Sequence, residues 1–220
     1  MSELPHAHPS RNVAHRGAVP RSMEATSART AARAASERRS IPNGIWGMAI
    51  FIASEATLFG TLIATYFYLR ARTGTWPPPG IEEPSAALPL SLAGALLLTS
   101  IPMVLAALAA GRRRVGIAWA LIALATIVQG GYLAWQIVLY ISDLGKFGPS
   151  GTAYGSIYFT LIGADHAHVL AGILLNLWVL ARLVTGLTNY RLVTVQAVAF
   201  FWVFVNITTM LVTLTQVSPS

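Results

Sequence analysis

The stretch GIWGMAIFIASEATLFGTLIATYFYLR, residues 44–70, decides the fold of this chain because it is long, apolar and almost free of charge. A hydrocarbon core about 30 Å thick needs roughly 20 apolar residues in a helix, and this stretch supplies them. Its single charge before Arg70 is Glu55. A carboxylate at the centre of a bilayer is energetically costly, so the significance of Glu55 depends on whether this stretch lies in a membrane or in water.

The amino-acid composition indicates a membrane environment rather than water. Of the 220 residues, 55% are hydrophobic and 10% are charged, whereas soluble domains have about 25% charged residues. The chain therefore has the composition of an integral membrane protein. It contains no cysteine, which excludes disulfides, thiolate metal sites and thiol catalysis.

Five segments are long and apolar enough to cross a bilayer, so we predict an all-α polytopic membrane protein. Pro, Gly and charged residues separate these segments, as expected for turns exposed to water. Pro102, within the second segment, predicts a kink. The predicted spans, all within a five-helix transmembrane domain at 41–220, are about 45–69, 88–110, 115–140, 154–184 and 192–215.

Residues 1–40 differ from the rest of the chain, being rich in Ala, Arg, Ser and Pro and lacking an apolar run. A secretory signal needs such a run, which argues against one here. The segment loosely resembles a mitochondrial transit peptide. A disordered cytoplasmic tail needs fewer assumptions, and we favour it. We expect its histidines, His6, His8 and His15, to be solvated.

The distribution of basic residues predicts an N-in, C-out orientation. A cytoplasmic N-terminus puts twelve arginines inside and three basic residues outside. The basic tail beside anionic lipid accounts for the net charge of +7 better than nucleic acid does, so we expect no nucleic-acid partner. The inner set is Arg11, Arg16, Arg21, Arg29, Arg33, Arg38, Arg39, Arg112, Arg113, Arg114, Arg182 and Arg191, and the outer set is Arg70, Arg72 and Lys146.

Glu55 shares its predicted depth with three ionisable residues of LIGADHAHVLAG, residues 161–172. At 1.5 Å per residue, Glu55 lies ~15 Å inside its span and Asp165 ~16 Å from the outer face. Asp165 and His168 share a helix face, while His166 points about a third of a turn away. We therefore predict that Glu55 is a buried functional carboxylate with His168, Asp165 and His166 as partners at the same depth.

Three interpretations of this cluster remain open from the residues alone. A neutral Glu55–His168 hydrogen bond would fix helix packing, and an ionisable pair would exchange protons or sense lipid headgroups. The same residue types also suit a metal. However, di-iron bundles use two Glu-x-x-His sets on separate helices, and the predicted spans contain none, so we predict no metal site, catalytic residue or redox centre.

Three segments together resemble subunit III of haem-copper oxidases in its short five-helix form. WGMAIFIASEATLFGTLIATYFYLR resembles the helix that carries a Ser-Glu pair, and YGSIYFTLIGADHAHVLAG resembles the later glycine- and histidine-containing segment. FFWVFVNITTMLVTL resembles the last helix. The resemblance covers about residues 44–215 in order and spacing.

The resemblance assigns family positions residue by residue. Glu55 matches a buried glutamate known for reacting with a hydrophobic carbodiimide. Asp165 stands where the family has its first histidine, and Val203, Asn206 and Thr209 replace a histidine, an aspartate and a tryptophan, so the usual contacts of the last two helices are in doubt. The other matching positions are Ser54, Tyr154, Gly155, Ser156, Gly163, His168, Val169, Gly172 and Trp202.

The resemblance implies a non-catalytic subunit of a proton-pumping cytochrome c oxidase in aerobic respiratory electron transport, in a bacterial plasma membrane. It implies catalytic subunits I and II as partners, bound phospholipid, and haem and copper in those partners rather than in this chain. The role implied is stabilisation, lipid binding and support of proton uptake.

Three other functions stay open at this point. Subunit III of a quinol oxidase would be distinguished by the haem types of its partner, and the accessory subunit of nitric oxide reductase by its electron acceptor. A stand-alone ion or proton transporter would move ions when reconstituted by itself. The sequence shows no internal repeat that would favour a transporter.

Overall fold

The computed structural model describes residues 26, 29–30, 41–82 and 85–218. The chain divides into a unit at Met1–Ile41 and a unit at Pro42–Ser220. Of the first unit, Thr26, Arg29 and Thr30 are helical and exposed, and Ile41 is exposed without being helical. The predictions of a disordered tail and of solvated histidines fall on residues outside the described ones.

The second unit consists of α-helices, and its described residues contain no strand. Five helical segments are long and apolar enough to cross a membrane, as predicted. The second of these is divided into two helices, so six helices are numbered here. They are α1 Asn43–Arg72, α2 Ala87–Leu98, α3 Ser100–Gly111, α4 Val115–Lys146, α5 Ala153–Val184 and α6 Asn189–Gln216.

The division between α2 and α3 falls at Thr99. Pro102 follows three residues later and has no N–H to donate to the carbonyl of Leu98, four residues before it. The helix is therefore interrupted about one turn before the proline, at the residue that connects α2 and α3.

α1 and α6 run in the same direction. Near their first residues, Gly44 lies against the side chain of Val193, and near their last residues, Arg70 Nη1 donates to Ser218 Oγ at 2.7 Å. Since five spans separate the two ends of the unit, Asn43 and Gln216 lie at opposite ends of the bundle.

α6 is the most buried span and α1 the least. In their most apolar stretches, 61% of α6 residues but 6% of α1 residues are buried within the chain. α6 packs against α1, α2, α3 and α5, whereas α1 packs only against α5 and α6 among the described helices. α4 packs against α2, α3 and α5 and is not a neighbour of α6, which leaves a gap between α4 and α6.

Basic residues are unevenly divided between the two ends of the bundle. The turn between α3 and α4 meets the segment before α6, where Arg113 Nη2 donates to Asn189 Oδ1 at 2.5 Å and Nη1 to the Leu187 carbonyl at 3.3 Å. This end carries Arg112, Arg113, Arg114, Arg182 and Arg191, and the other end carries Arg70, Arg72 and Lys146.

Candidate functional site

Glu55 and His168 meet between α1 and α5. Glu55 is the thirteenth residue of α1, and His168 is the sixteenth of the 32 residues of α5, so both lie well inside their helices. His168 Nε2 is 3.0 Å from Glu55 Oε2. The structure thus brings together the carboxylate and the histidine that the sequence places at one depth.

The second ring nitrogen of His168 determines how many protons this pair holds. Nδ1 is 2.8 Å from the carbonyl of Ala164, and a carbonyl can only accept, so Nδ1 carries a hydrogen. The bond between Nε2 and Oε2 then contains one further proton, held by either the imidazole or the carboxyl. Imidazolium with carboxylate and imidazole with carboxylic acid are both neutral overall, which lowers the cost of burying the pair in a bilayer.

The pair lies at the edge of the chain rather than in its centre. The side chains of His168 and Glu55 are 16% and 19% exposed. Phe59 covers the imidazole edge-on, with ring centroids 5.0 Å apart, and Phe204 packs against Phe59 in turn. Phe59 and Phe204 thus cover the imidazole on one side, and the pair keeps a part-exposed side next to α1.

Ser54, the neighbour of Glu55, does not join the pair. It is exposed, and its hydroxyl donates to the carbonyl of Phe51 in its own helix at 2.7 Å. Its contact is therefore local to α1.

Asp165 and His166 lie apart from the pair, although they share its depth. Asp165 is 3% exposed and accepts from Thr209 Oγ1 of α6 at 2.6 Å. His166 stacks edge-on with Tyr140 of α4, with ring centroids 5.7 Å apart. The rotation of 100° per residue along α5 directs these neighbours to α4 and α6, so the predicted cluster consists of two sites.

The residues Tyr154, Gly155 and Ser156 form the beginning of α5. The Thr152 hydroxyl accepts from the Gly155 N–H at 3.0 Å, which caps the helix. The Ser156 hydroxyl donates to the Pro149 carbonyl at 2.5 Å, and Gly155 has no room for a Cβ because the Gly148 carbonyl approaches it closely. Tyr154 is buried and stacks with Tyr158. These residues fix where α5 starts.

Two further glycines of α5 differ in their surroundings. A Cβ on Gly172 would lie 2.6 and 2.8 Å from ring atoms of Trp202, so this glycine permits the close approach of α5 and α6. A Cβ on Gly163 would lie at an ordinary 3.6 Å from Tyr140 Oη. Helix packing therefore requires glycine at position 172 but not at position 163.

Buried polar side chains connect α4, α5 and α6 on the interior side of α5. Trp202 Nε1 donates to Asn176 Oδ1 at 2.9 Å. Asn176 Nδ2 donates to Gln129 Oε1 at 2.9 Å and to Thr126 Oγ1 at 3.0 Å. Gln129 Nε2 donates to Thr99 Oγ1 at 3.1 Å. These bonds give the buried side chains of Trp202, Asn176 and Gln129 partners that they would otherwise lack.

The same network reaches the division between α2 and α3. Asn206 Nδ2 donates to Thr99 Oγ1 at 3.2 Å and to Ser100 Oγ at 2.7 Å. Asn206 thus binds Thr99, the residue that connects the two helices, and Ser100, the first residue of α3. Asn176, Thr99 and Ser100 were not predicted. Asn176 could have been recognised as a candidate interhelical residue, because its side chain is an isolated amide within an apolar span.

The described residues contain no group of three or more metal-binding side chains. The Glu55–His168 pair and the Asp165–His166 site each supply two such side chains. The described arrangement supports proton sharing and interhelical hydrogen bonding.

Comparison with known proteins gives one family. Residues 28–217 match the family model described as cytochrome c oxidase subunit III. The chain is 28% identical to the cytochrome bo(3) ubiquinol oxidase subunit 3 of Pseudomonas aeruginosa, covering 75% of this chain and 79% of that protein. It is 30% identical to the probable cytochrome c oxidase subunit 3 of Nocardia farcinica, over 73% and 80%, and 25% identical to the cytochrome c oxidase subunit 3 of Bacillus subtilis, over 75% and 81%.

Proposed function

Because the chain belongs to the cytochrome c oxidase subunit III family, we propose that it serves a proton-pumping cytochrome c oxidase of a bacterial plasma membrane. Family membership makes it an accessory subunit III of a terminal oxidase. The observation that carries the proposal is the family match over residues 28–217. That range includes α1 and α5, which together form the Glu55–His168 pair.

The choice of cytochrome c as electron donor is part of the proposal. Relatives named for cytochrome c and relatives named for a quinol have similar identities, 30% for the Nocardia farcinica protein and 28% for the Pseudomonas aeruginosa protein. Relatives named for cytochrome c also occur in Mycobacterium tuberculosis and Bacillus subtilis, which supports this donor. A quinol oxidase remains the alternative.

Unburied surface on α1 supports association with other subunits. Only 6% of its most apolar stretch is buried within the chain, and Ile50, Phe51 and Leu58 are exposed. A surface of this kind suits a neighbouring helix or lipid chains. We propose oxidase subunits I and II and phospholipids as its partners, with haem and copper held by the catalytic subunits.

The division of basic residues supports an N-in, C-out orientation. The end where α1 begins has five arginines in its turns or in the adjoining helix ends, and the opposite end has three basic residues. Seven more arginines precede α1 in the sequence. Basic residues prefer the cytoplasmic side of a membrane, so the beginning of α1 is proposed to face the cytoplasm.

Glu55 and His168 are proposed to act as the buried carboxylate pair at the edge of the subunit. Their shared proton and their partial exposure beside α1 suit a contact that supports proton uptake by the complex. Among the described residues, no hydrogen bond joins the pair to Asp165 or His166. A transporter needs one continuous polar path, so this separation favours an accessory subunit.

Purification of the tagged chain in mild detergent tests the proposal, with a reduced-minus-oxidised optical spectrum of the co-purifying proteins. We expect haem A absorbance and oxygen consumption driven by reduced cytochrome c. Haem b and haem o bands with quinol activity would instead identify a quinol oxidase, and nitric oxide reduction would identify a reductase complex. A pure, colourless protein would contradict the proposal and favour a free-standing transporter.

A further inference from the structure

A cavity of about 590 Å³ lies in the gap between α4 and α6. α5 forms its third side, and the segment before α2, including Ile81 and Glu82, lies over one end. The cavity begins where α4 and α6 finish, beside Lys146 and Gln216. It ends at Asp165 and His166, ~16 Å along α5 from Tyr154.

One face of α4 lines this cavity with polar groups over its whole depth. Tyr132, Gln136, Tyr140, Asp143 and Lys146 all line it, and their spacing of three and four residues puts them on a single helix face. Over these fourteen residues the helix advances ~20 Å. A polar stripe of this length within a membrane-spanning helix indicates a surface that does not face lipid.

Opposite that stripe, α5 lines the cavity with Tyr154, Tyr158, Asp165 and His166, together with the apolar Ile162. Tyr158 Oη donates to Asp143 Oδ2 at 2.7 Å, and Lys146 Nζ donates to Asp143 Oδ1 at 3.2 Å. These bonds form near the mouth. Deeper in the cavity, Gln136 Nε2 donates to Tyr132 Oη at 3.1 Å. Polar side chains thus line the cavity from mouth to base, interspersed with apolar ones such as Leu139, Ile162 and Val212.

Several polar atoms of the cavity lack a protein partner among the described residues. Asp165 Oδ1 accepts from Thr209, but Oδ2 has no hydrogen bond. Neither ring nitrogen of His166 has one. Gln216 Nε2 is buried without a partner. Polar atoms without a protein partner are commonly satisfied by water, and one water occupies about 30 Å³ in the liquid, so a cavity of about 590 Å³ has room for many.

We propose that this cavity is a water-filled vestibule through which Asp165 and His166 exchange protons with the aqueous phase at the end where α4 and α6 finish. In the exchange step, a proton moves between the Asp165 carboxyl and a water of the vestibule, with no change in electrons. The ligand class is therefore water and hydronium.

Each element around the vestibule contributes groups that line it or contact Asp165 and His166, and those of α2, Leu88 and Pro89, are apolar. α6 contributes Thr209 and Gln216, which are uncharged, and the segment before α2 contributes Glu82. The titratable groups of the vestibule walls, and of α5 itself, are Tyr132, Tyr140, Asp143, Lys146, Tyr154, Tyr158 and His168. Acidic groups outnumber the single lysine, so the vestibule favours cations such as hydronium over anions.

This site is separate from the Glu55–His168 pair. Asp165 faces α4 and α6 from the inner side of α5, whereas His168 faces α1. The vestibule opens at the end of the bundle with fewer basic residues. A subunit with this arrangement has two proton-holding sites at one depth, and only the inner one is reached through the vestibule.

The absence of cysteine from the chain allows a direct test of water in the vestibule. Single-cysteine variants Gln136→Cys and Ile162→Cys have the new thiol in the cavity wall. The matched controls are Val138→Cys, on the outer surface of α4 with 63% exposure, and Ile122→Cys, in the core with 1% exposure. A charged, membrane-impermeant methanethiosulfonate is applied to each side of native membranes, and modification of the chain is followed by mass spectrometry.

We expect both cavity thiols to react at least about tenfold faster than both controls, because the thiolate that reacts forms in water. Reaction should occur only from the side where α4 ends. Equal rates at cavity and control positions would overturn the proposal and indicate that lipid or another chain fills the space. Reaction from the opposite side would overturn the proposed opening. The result does not depend on which oxidase contains the chain.

Infrared spectroscopy of the purified complex tests proton exchange at Asp165 separately. We expect a carboxyl band that is lost in Asp165→Asn, retained in Asp165→Glu, dependent on pH and shifted by D₂O within the mixing time. Glu55→Gln should remove a different band. A spectrum of Asp165→Asn identical to that of the parent complex would overturn proton exchange, as would an Asp165 band that D₂O leaves unchanged for hours.

Discussion

At the scale of single residues, the hydrogen bond from His168 to Ala164 has the largest effect on the chemistry of the site. With Nδ1 donating to that carbonyl, the Nε2 atom is left to accept from Glu55 or to donate to it. The charge distribution within the pair therefore depends only on whether one proton is held by Nε2 or by the carboxyl group. The pair can change between its two neutral forms without losing its 3.0 Å bond.

Glu55→Gln should leave the chain in its complex. The amide N–H of glutamine can donate to Nε2 of a neutral imidazole, so the bond to His168 is preserved if the native carboxyl is protonated. We expect no more than a few degrees of change in thermal stability. Glu55→Ala removes the bond and should cost about 1 kcal/mol, the usual size of a hydrogen bond between membrane helices.

Retention of the subunit after detergent purification measures the effect of these substitutions. Ser54→Ala is the control, because Ser54 bonds only to its own helix, and it should behave like the parent chain. Complete loss of the chain in Glu55→Gln would show that the native pair is charged.

At the scale of helices, the apolar runs were enough to predict the spans but not their ends. α4 was expected to end near residue 140 and extends to Lys146. Its last turn is stabilised by the bonds of Asp143 to Lys146 and Tyr158, and these depend on α5. α6 begins at Asn189, because the Thr188 hydroxyl accepts from the Arg191 N–H.

Contacts between helices could be predicted from the sequence only where two residues could be paired by their depth in the membrane. Glu55 and His168 were matched by counting residues from the ends of their spans. The direction of Asp165 toward α6 and of His166 toward α4 depends on how α5 is rotated in the bundle. That rotation is set by packing against the neighbouring helices, so it could not be predicted from the sequence of α5. For the same reason, Asn176 was not identified as an interhelical residue.

Asn176→Leu should destabilise the bundle by about 2 kcal/mol. The substitution leaves Trp202 Nε1 and Gln129 Oε1 buried without partners, and each such group is costly. Thermal unfolding of the purified complex provides the measurement. Thr160→Val, on the exposed side of the same helix and bonded only to the Ser156 carbonyl, should have almost no effect.

A double-mutant cycle with Trp202→Phe distinguishes loss of the hydrogen bond from loss of packing. The two substitutions share one bond, so their combined effect should be smaller than the sum of the separate effects. Strict additivity would contradict the role of Asn176 as the acceptor for Trp202.

Gly172→Ala should also destabilise the bundle, by about 1–3 kcal/mol. The new methyl group would meet the Trp202 ring, and the bond of that ring to Asn176 prevents it from moving away. The measurement is again thermal unfolding. Gly131→Ala in α4, where a Cβ would have no atom within 4 Å, should be neutral or slightly stabilising, and an equal loss there would contradict the steric explanation.

At the scale of the whole molecule, the odd number of spans among the described residues and the division of arginines jointly predict the topology. Asn43 and Gln216 lie at opposite ends, and the arginine-rich end is the one where α1 begins. The network of Thr99, Gln129, Asn176 and Asn206 joins the middle of the bundle. The bundle therefore has an arginine-rich end, a hydrogen-bonded interior and an opposite end that contains the vestibule.

Reporter fusions should confirm this topology in cells. Alkaline phosphatase fused after residue 218 should be active and a fluorescent protein at the same position dark, because the C-terminus is expected outside the cytoplasm. Fusions in the turn at Arg112–Arg114 should give the reverse pattern. An active phosphatase at the arginine turn would contradict the proposed orientation.

The neighbours of α1 have a consequence for synthesis of the chain on the ribosome. α1 is made first, yet its only described helix contacts are with α5 and α6, which are made last. At about 5–20 residues per second, the ribosome adds roughly 100 residues over several seconds before His168 enters the membrane. During that delay Glu55 has no imidazole with which to share a proton. The neutral carboxylic acid is then the form with the lower cost of burial in lipid. Insertion of α5 is thus the step of synthesis that gives α1 both its first helix contact and the partner of its buried carboxyl group.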